Sequence, residues 1–196
     1  MPHAFRTLAL KAGEPCGDRC AIWLRPSGIL LAIIDGLGHG PEAARAAAVA
    51  ERTIAGHLDF ALRGLFQELD RNLQPLRGAA LGVARIADGV LTYCGVGNPR
   101  AWLLRDGRTI HLPADYGVVG AGLPAELSVH AIGLEDRDWI ILASDGVSER
   151  VQIETILPEW GRNPEKFCDY ILHYWRDPRD DAAVLVYRFD AGEAGA

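Results

Sequence analysis

The sequence predicts an α+β domain: two mostly antiparallel sheets with helices packed on their outer faces. Three observations carry that expectation. Short apolar segments are joined by two-residue turns at Asp88-Gly89 and Asp106-Gly107, a pattern typical of antiparallel hairpins. Helical patterning is confined to two places, 41–72 and 164–175. The run 29–34 is apolar throughout, so a strand there must be covered on both faces. The chain has 196 residues, 49% of them hydrophobic, with no linker, repeat or low-complexity stretch, and a single domain over 1–196 is expected.

Strands are expected at 5–10, 20–25 and 29–34, the last two joined by the turn signal Pro26-Ser27-Gly28. The Ala-rich stretch from Pro41 has high helix propensity, and Pro41 suits a first helical position, where its missing N–H costs nothing. Gly56 and Gly64 predict two consecutive helices rather than one over 41–72. Strands then return at 78–86 and 90–95, flanking Asp88-Gly89, and at 101–105 and 109–112, flanking Asp106-Gly107. Two more are expected at 126–132 and 139–143. A helix over 164–175 follows, capped by Asn163 with Pro164 at its first position, and a final strand spans 183–189.

Composition excludes several classes of function. Twenty Lys and Arg against 26 Asp and Glu give a net charge of −6, and no basic run is present, which argues against nucleic acid or an anionic membrane as partner. No apolar stretch is long enough for a spanning helix, and the N-terminus lacks a basic region followed by an apolar run, so a cytoplasmic protein is expected. Cys16, Cys20, Cys94 and Cys168 lack zinc-site spacing and read as free thiols. Trp23, Trp102, Trp139, Trp160 and Trp175 are scattered and read as packing residues.

The chemistry gathers where apolar runs meet aspartates. The run 29–34 ends in Asp35-Gly36, 139–143 runs into Ser144-Asp145-Gly146, and 183–189 is preceded by Asp180-Asp181. Asp18 stands just before the second strand. Buried central strands end at a sheet edge, so acids from distant parts of the chain can converge there. That works if the strand after Asp180-Asp181 runs antiparallel to those ending in Asp35 and Asp145. Clustered carboxylates repel one another and would protonate unless cations compensate them. Oxygen-only ligands select hard ions, Mg²⁺ or Mn²⁺. Two such ions bridged by one carboxylate bind a water, lower its pKa and clamp phosphate oxygens.

Each Asp-Gly pair taken singly is an ordinary turn; their position after long apolar runs sets Asp35 and Asp145 apart from Asp88 and Asp106. The glycine loop 36–40 is not a dinucleotide fingerprint, because Pro41 occupies the sixth position of G-x-G-x-x-G, and no Gly-Lys-Ser/Thr is present. His39 within it reads as a structural hydrogen-bonding residue rather than a general acid.

The set Gly17-Asp18, Asp35-Gly36-Leu37-Gly38-His39-Gly40, Ser144-Asp145-Gly146-Val147-Ser148-Glu149 and Asp180-Asp181-Ala182-Ala183-Val184 resembles the PPM-type metal-dependent protein serine/threonine phosphatases. It is most similar to the bacterial branch that includes SpoIIE and RsbX, and Gly95-Val96-Gly97-Asn98-Pro99 resembles a strand-turn sequence of that branch. The resemblance covers nearly the whole chain. It implies an αββα sandwich with a centre of two Mn²⁺ or Mg²⁺ ions at one edge between the sheets. By the same resemblance Asp35 would bridge both ions, the Gly36 carbonyl would bind one, Asp145 and Asp180 would bind the other, and Asp18 would contact the second directly or through water. Asp35, Asp145 and Asp180 would then be the catalytic residues, with Asp181 supporting them. Ala183 departs from the family's usual hydroxyl residue, and Cys16 precedes Gly17-Asp18 in place of a small residue; neither removes a ligand.

The motifs begin within the first two dozen residues, leaving no room for a sensor domain ahead of them, as in the stand-alone members of the branch. The resemblance therefore implies a phosphatase acting on phosphorylated STAS-domain proteins of the stressosome. The alternatives are a sporulation-type phosphatase of anti-sigma-factor antagonists and a non-catalytic binding module of the same fold. The residue that contacts phosphate is left open among Lys11, Lys166, Arg6, Arg19 and Arg150.

Overall fold

Alternation within the apolar runs decides how the layers stack. In the computed structural model, which describes residues 2–155 and 163–191, the chain forms ten strands and three long helices. The strands are β1 (His3–Leu8), β2 (Asp18–Arg25), β3 (Gly28–Gly36), β4 (Ala79–Ala87), β5 (Val90–Val96), β6 (Arg100–Arg105), β7 (Arg108–His111), β8 (His130–Gly133), β9 (Trp139–Ala143) and β10 (Ala182–Arg188). The helices are α1 (Pro41–Gly56), α2 (Leu62–Leu73) and α3 (Pro164–Trp175). One antiparallel sheet has the order β1-β10-β9-β6-β7 and the other β2-β3-β4-β5-β8.

Odd and even residues of the central strands face different layers, as a period of two requires. Leu30, Ala32 and Ile34 of β3 pack under α1 and α2, while Leu31 and Ile33 face the opposite sheet. Trp139, Ile141 and Ala143 of β9 pack under α3, while Ile140 and Leu142 join the core between the sheets. Three apolar layers result, and the order of layers is α, β, β, α. The continuous apolar runs are explained: each of these strands is covered twice.

Turn chemistry matches the expected hairpins. Asp88 and Gly89 have φ of 50° and 70°, and Asp106 and Gly107 have 48° and 73°, the left-handed pair of a type I′ turn. Helix α1 presents Ala43, Ala46, Ala47 and Ala50 to the sheet, all fully buried, so its backbone lies close to β3. The chain breaks after Gly56, whereas Gly64 sits inside α2, its exposed side tolerating the missing side chain. The side chain of Asn163 accepts the N–H of Lys166 and caps α3.

Two strands differ from the sequence expectation. The expected 5–10 strand ends at Leu8, because the Leu10 N–H turns away to donate to the Asp181 carboxylate (2.6 Å). The expected 126–132 strand is reduced to His130–Gly133, since the N–H and hydroxyl of Ser128 both donate to Asp115 (2.6 and 2.8 Å). That clamp holds 113–129 as an irregular loop over the end of the β4–β5 hairpin. Trp102 and Trp139 are buried and Trp23 and Trp175 partly so, while Trp160 lies outside the described residues. Among the described residues the cysteines are free thiols, and no helix is long and apolar enough to cross a membrane.

Phe167 of α3 is fully buried and meets Trp139 edge-on, with ring centroids 5.3 Å apart. Phe167→Ala leaves a cavity between α3 and its sheet and is expected to cost about 3–5 kcal/mol. Urea unfolding checks this: the midpoint should fall with the slope unchanged.

Candidate functional site

Strand register brings the acids together. The tight turn at Pro26-Ser27 pairs Arg25 with Gly28, and the ladder that follows places Asp18 directly opposite Asp35 at the far end of the β2–β3 hairpin. In the other sheet β9 and β10 run antiparallel, with Ala143 paired to Val184, so Asp145 leaves one strand beside the point where Asp180 and Asp181 enter the other. All lie on one rim between the two sheets. Asp35, Asp145 and Asp180 line a cleft of about 750 Å³, together with His39, Asn98 and Tyr116.

The glycines show why these Asp-Gly pairs differ from the hairpin turns. A Cβ on Gly36 would run into the Ala43 carbonyl of α1, and one on Gly146 into the Asp181 carbonyl. Both glycines permit backbone segments to close in on the acids. At Gly89 and Gly107 a Cβ would meet nothing, and those two serve only their positive φ.

Asp18 is 4% exposed and accepts a hydrogen bond from the Ser144 hydroxyl, while its Oδ2 is buried with no partner. Ser144 is itself fully buried, and its Oγ accepts the Ala183 N–H (2.9 Å), so one hydroxyl ties the two sheets together at the rim. Burial, followed by the charges of Asp181, Asp145 and Asp180, pushes Asp18 up to about 7 despite the Ser144 bond. Burial and the charges of Asp18, Asp145 and Asp180 push Asp35 up to about 9, and it shares a hydrogen bond with Asp145. Asp180 is raised as well, by burial and by the charge of Asp145.

Asp181 behaves differently from its neighbour. Its two carboxylate oxygens accept the backbone N–H groups of Leu10 and Gly17, both at 2.6 Å. It fastens the segment leading to Asp18 onto the start of β10, leaving Asp180 as the member of the pair that lines the cleft.

Three further residues complete the surroundings. Asn98 Nδ2 donates to Asp145 Oδ2 (2.6 Å), and Arg100 donates to the Asp145 carbonyl (3.0 Å). Arg179 lines the cleft beside Asp180. Sequence reasoning did not single out any of the three, although Asn98 sits inside 95–99 and Arg179 directly precedes Asp180-Asp181. Of the basic residues considered for phosphate, Arg6 is ion-paired to Glu165 and Asp169, Lys11 to Glu14 and Arg19 to Glu51. Arg150 lines a second cleft beside Asp145. Among the described residues His39 makes no hydrogen bond; it is exposed and lines the main cleft.

This donor set fits a hard divalent cation. It consists of carboxylates with no His or Cys, it leaves a buried carboxylate oxygen without a hydrogen-bond partner, and burial, reinforced by like charges, pushes Asp18, Asp35 and Asp180 toward protonation. Among the described residues no three of these groups close on one point as a finished shell; hydrogen bonds to one another and to Asn98 and Ser144 hold them.

The raised carboxyls give a signed pH dependence. The folded chain keeps protons on Asp35 and Asp18 that the unfolded chain releases near 3.8, so their contribution to stability falls as pH rises from about 4 through 7 and 9. In EDTA the thermal midpoint is expected to drop over this range. Asp35→Asn removes the larger repulsion and should raise the midpoint at pH 8 by roughly 2–4 °C or more. Differential scanning fluorimetry across pH checks both.

Comparison with known proteins places the fold. The Stage II sporulation protein E (SpoIIE) family model matches residues 25–190. The phosphoserine phosphatase RsbX of Bacillus subtilis (strain 168) is 22% identical over 173 residues, covering 87% of this chain and 86% of RsbX. Among solved structures, a chain described as "The bacterial stressosome: a modular system that has been adapted to control secondary messenger signaling" superposes with a TM-score of 0.90 at 30% identity, covering 95% of this chain and 98% of the other. RsbX in complex with magnesium superposes with a TM-score of 0.83 at 22% identity, over 95% of this chain and 94% of that one. Matched by its family model and by the double-sheet architecture, the chain belongs to the SpoIIE family of PPM-type, metal-dependent protein serine/threonine phosphatases.

Proposed function

We propose that this protein hydrolyses phosphoserine and phosphothreonine in STAS-domain proteins of a stressosome, acting as negative feedback on a stress response. In this reading two Mn²⁺ or Mg²⁺ ions are held by Asp18, Asp35, the Gly36 carbonyl, Asp145 and Asp180. Asp35, Asp145 and Asp180 carry catalysis. The observation behind it is the pairing of Asp18, buried, with Asp35, half-buried, across a hairpin, both pushed up by desolvation and then by neighbouring acids that include Asp145 and Asp180 of the other sheet. Bound there, divalent ions supply charge neutralisation, Lewis acidity toward the phosphoryl group and a lowered pKa for an attacking water.

The chain's own residues prepare the site for that chemistry. Ser144 fixes the orientation of Asp18, and Asn98 fixes that of Asp145. Asp181 anchors the segment carrying Asp18 without entering the cleft. Leu37, Val118 and Tyr116 supply apolar wall, and Tyr116 is 99% exposed, free to meet a protein substrate. The STAS-domain target and the cytoplasmic setting are supported by likeness to RsbX and to the stressosome-associated chain. The SpoIIE match favours a second reading, a sporulation-type antagonist protein as substrate.

Turnover of a phosphoserine peptide should appear with Mn²⁺ and vanish with EDTA. Asp35→Asn and Asp145→Asn should each lower kcat by roughly 10²–10³ or more, the several kcal/mol that a displaced metal supplies. Full activity in Asp35→Asn would refute the bridging role. Asn98→Ala, which leaves every carboxylate in place, should lower activity or Mn²⁺ affinity by about 10-fold. Incubation with phosphorylated STAS proteins from stress and sporulation systems, scored by site-resolved mass spectrometry, separates the two readings of the substrate.

A further inference from the structure

Beside the acid rim lies a second cleft, of about 600 Å³, whose charge is opposite. It shares Asp145 and Arg179 with the main cleft, and three more arginines, Arg100, Arg150 and Arg176, complete its basic wall. These guanidinium groups are not neutralised in proportion. Arg179 is paired with both oxygens of Asp177 (3.0 and 2.8 Å). Arg100 donates to the Asp145 carbonyl, and Arg176 to the carbonyls of Ala9 and Asp180 (2.8 and 3.4 Å). Carbonyls accept hydrogen bonds without cancelling a charge. Arg176 Nε is buried with no partner, and the exposed Arg150 guanidinium meets no carboxylate among the described residues. The Asp145 carboxylate bonds to Asn98 and Asp35, and its charge and that of exposed Glu149 act on Arg100, leaving Arg150 and Arg176 without a carboxylate partner among the described residues.

A positive recess therefore adjoins an acidic site in a chain of net charge −6. An extended peptide with its phosphorylated residue in the main cleft would pass into this recess across Asp145 and Arg179. Arginine forks match carboxylate and phosphate geometry, so the recess selects for planar or tetrahedral oxyanions. We propose that this cleft is a specificity subsite taking an anionic side chain (an acidic residue or a second phosphorylated residue) that flanks the phosphoserine or phosphothreonine being hydrolysed. The proposal rests on the phosphatase reading above.

The test uses the full chain with Mn²⁺ and a set of phosphoserine peptides of equal length. Each position within three residues of the phosphoserine carries in turn Ala, Asp, Lys or phosphothreonine. At one position or more, Asp or phosphothreonine should raise kcat/KM about 10-fold over Ala, and Lys should lower it, as expected for one charge-assisted hydrogen-bonded contact. An advantage for phosphothreonine without one for Asp assigns the subsite to a phosphoryl group; an advantage for both assigns it to anions generally. Arg150→Ala and Arg150→Glu should erase or invert that preference, and Arg179→Ala should weaken it, whereas Arg71→Ala on α2 should leave it intact. Equal kcat/KM for Ala, Asp, phosphothreonine and Lys at every position overturns the subsite, as does a preference that survives both Arg150 substitutions. If wild-type protein turns over neither the peptides nor p-nitrophenyl phosphate, the phosphatase reading itself falls, and the subsite with it.

Discussion

Mutual repulsion among carboxylates held between the ends of two stacked sheets is the constraint around which this molecule is organised. Sheets pack about 10 Å apart, so acids at corresponding strand ends are forced into one small volume. Out of bulk water such charges interact far more strongly than on a surface. Burial comes first among the causes that raise Asp18, Asp35 and Asp180, and the charge of Asp145 raises all three further. A fold that carries this strain at its rim depends on stabilisation elsewhere. Three apolar layers provide it, one under α1 and α2, one under α3 and one between the sheets.

The immediate neighbours of the acids hold geometry without removing charge. Ser144 and Asn98 are neutral donors, and Asp181 is occupied by two backbone N–H groups. Had arginines filled those places, each carboxylate would be a satisfied ion pair with little affinity left for a cation. Arginines do stand near, but among the described residues they leave the carboxylates of Asp145 and Asp180 unpaired. Arg100 and Arg176 reach backbone carbonyls of Asp145 and Asp180 rather than their carboxylates. In the proposed function, negative charge is thereby kept for hard cations on one side of Asp145, while positive charge is offered on the other. A phosphorylated protein approaching an acidic enzyme meets a field it can enter.

Close backbone approach has its own requirement. Gly36 sits under the first turn of α1, and Gly146 against the carbonyl of Asp181, so at both places backbone closes on backbone beside the acids. The Ala face of α1 extends the same logic along β3, where small residues let the helix lie close.

Much of this was legible in the sequence because it depends on local rules. Hairpin turns, helix starts and doubly covered strands follow from Asp-Gly pairs, from Pro41 and Pro164 and from apolar runs, each a property of neighbouring residues. The candidate acids were visible for the same reason, since Asp35 and Asp145 each end such a run. What sequence reasoning missed depends on partners far along the chain. The early end of β1 comes from the bond between the Leu10 N–H and Asp181. The shortened β8 comes from Asp115 holding Ser128. Asn98, Arg100 and Arg179 acquired meaning only once the two sheets stacked. By itself the sequence determined the elements, their amphipathic faces and the acids at their ends. Only the tertiary structure decided which groups hold those acids in place, Asn98 on Asp145 and the Leu10 and Gly17 N–H groups on Asp181, because charge and hydrogen bonding act through space and are blind to separation along the chain.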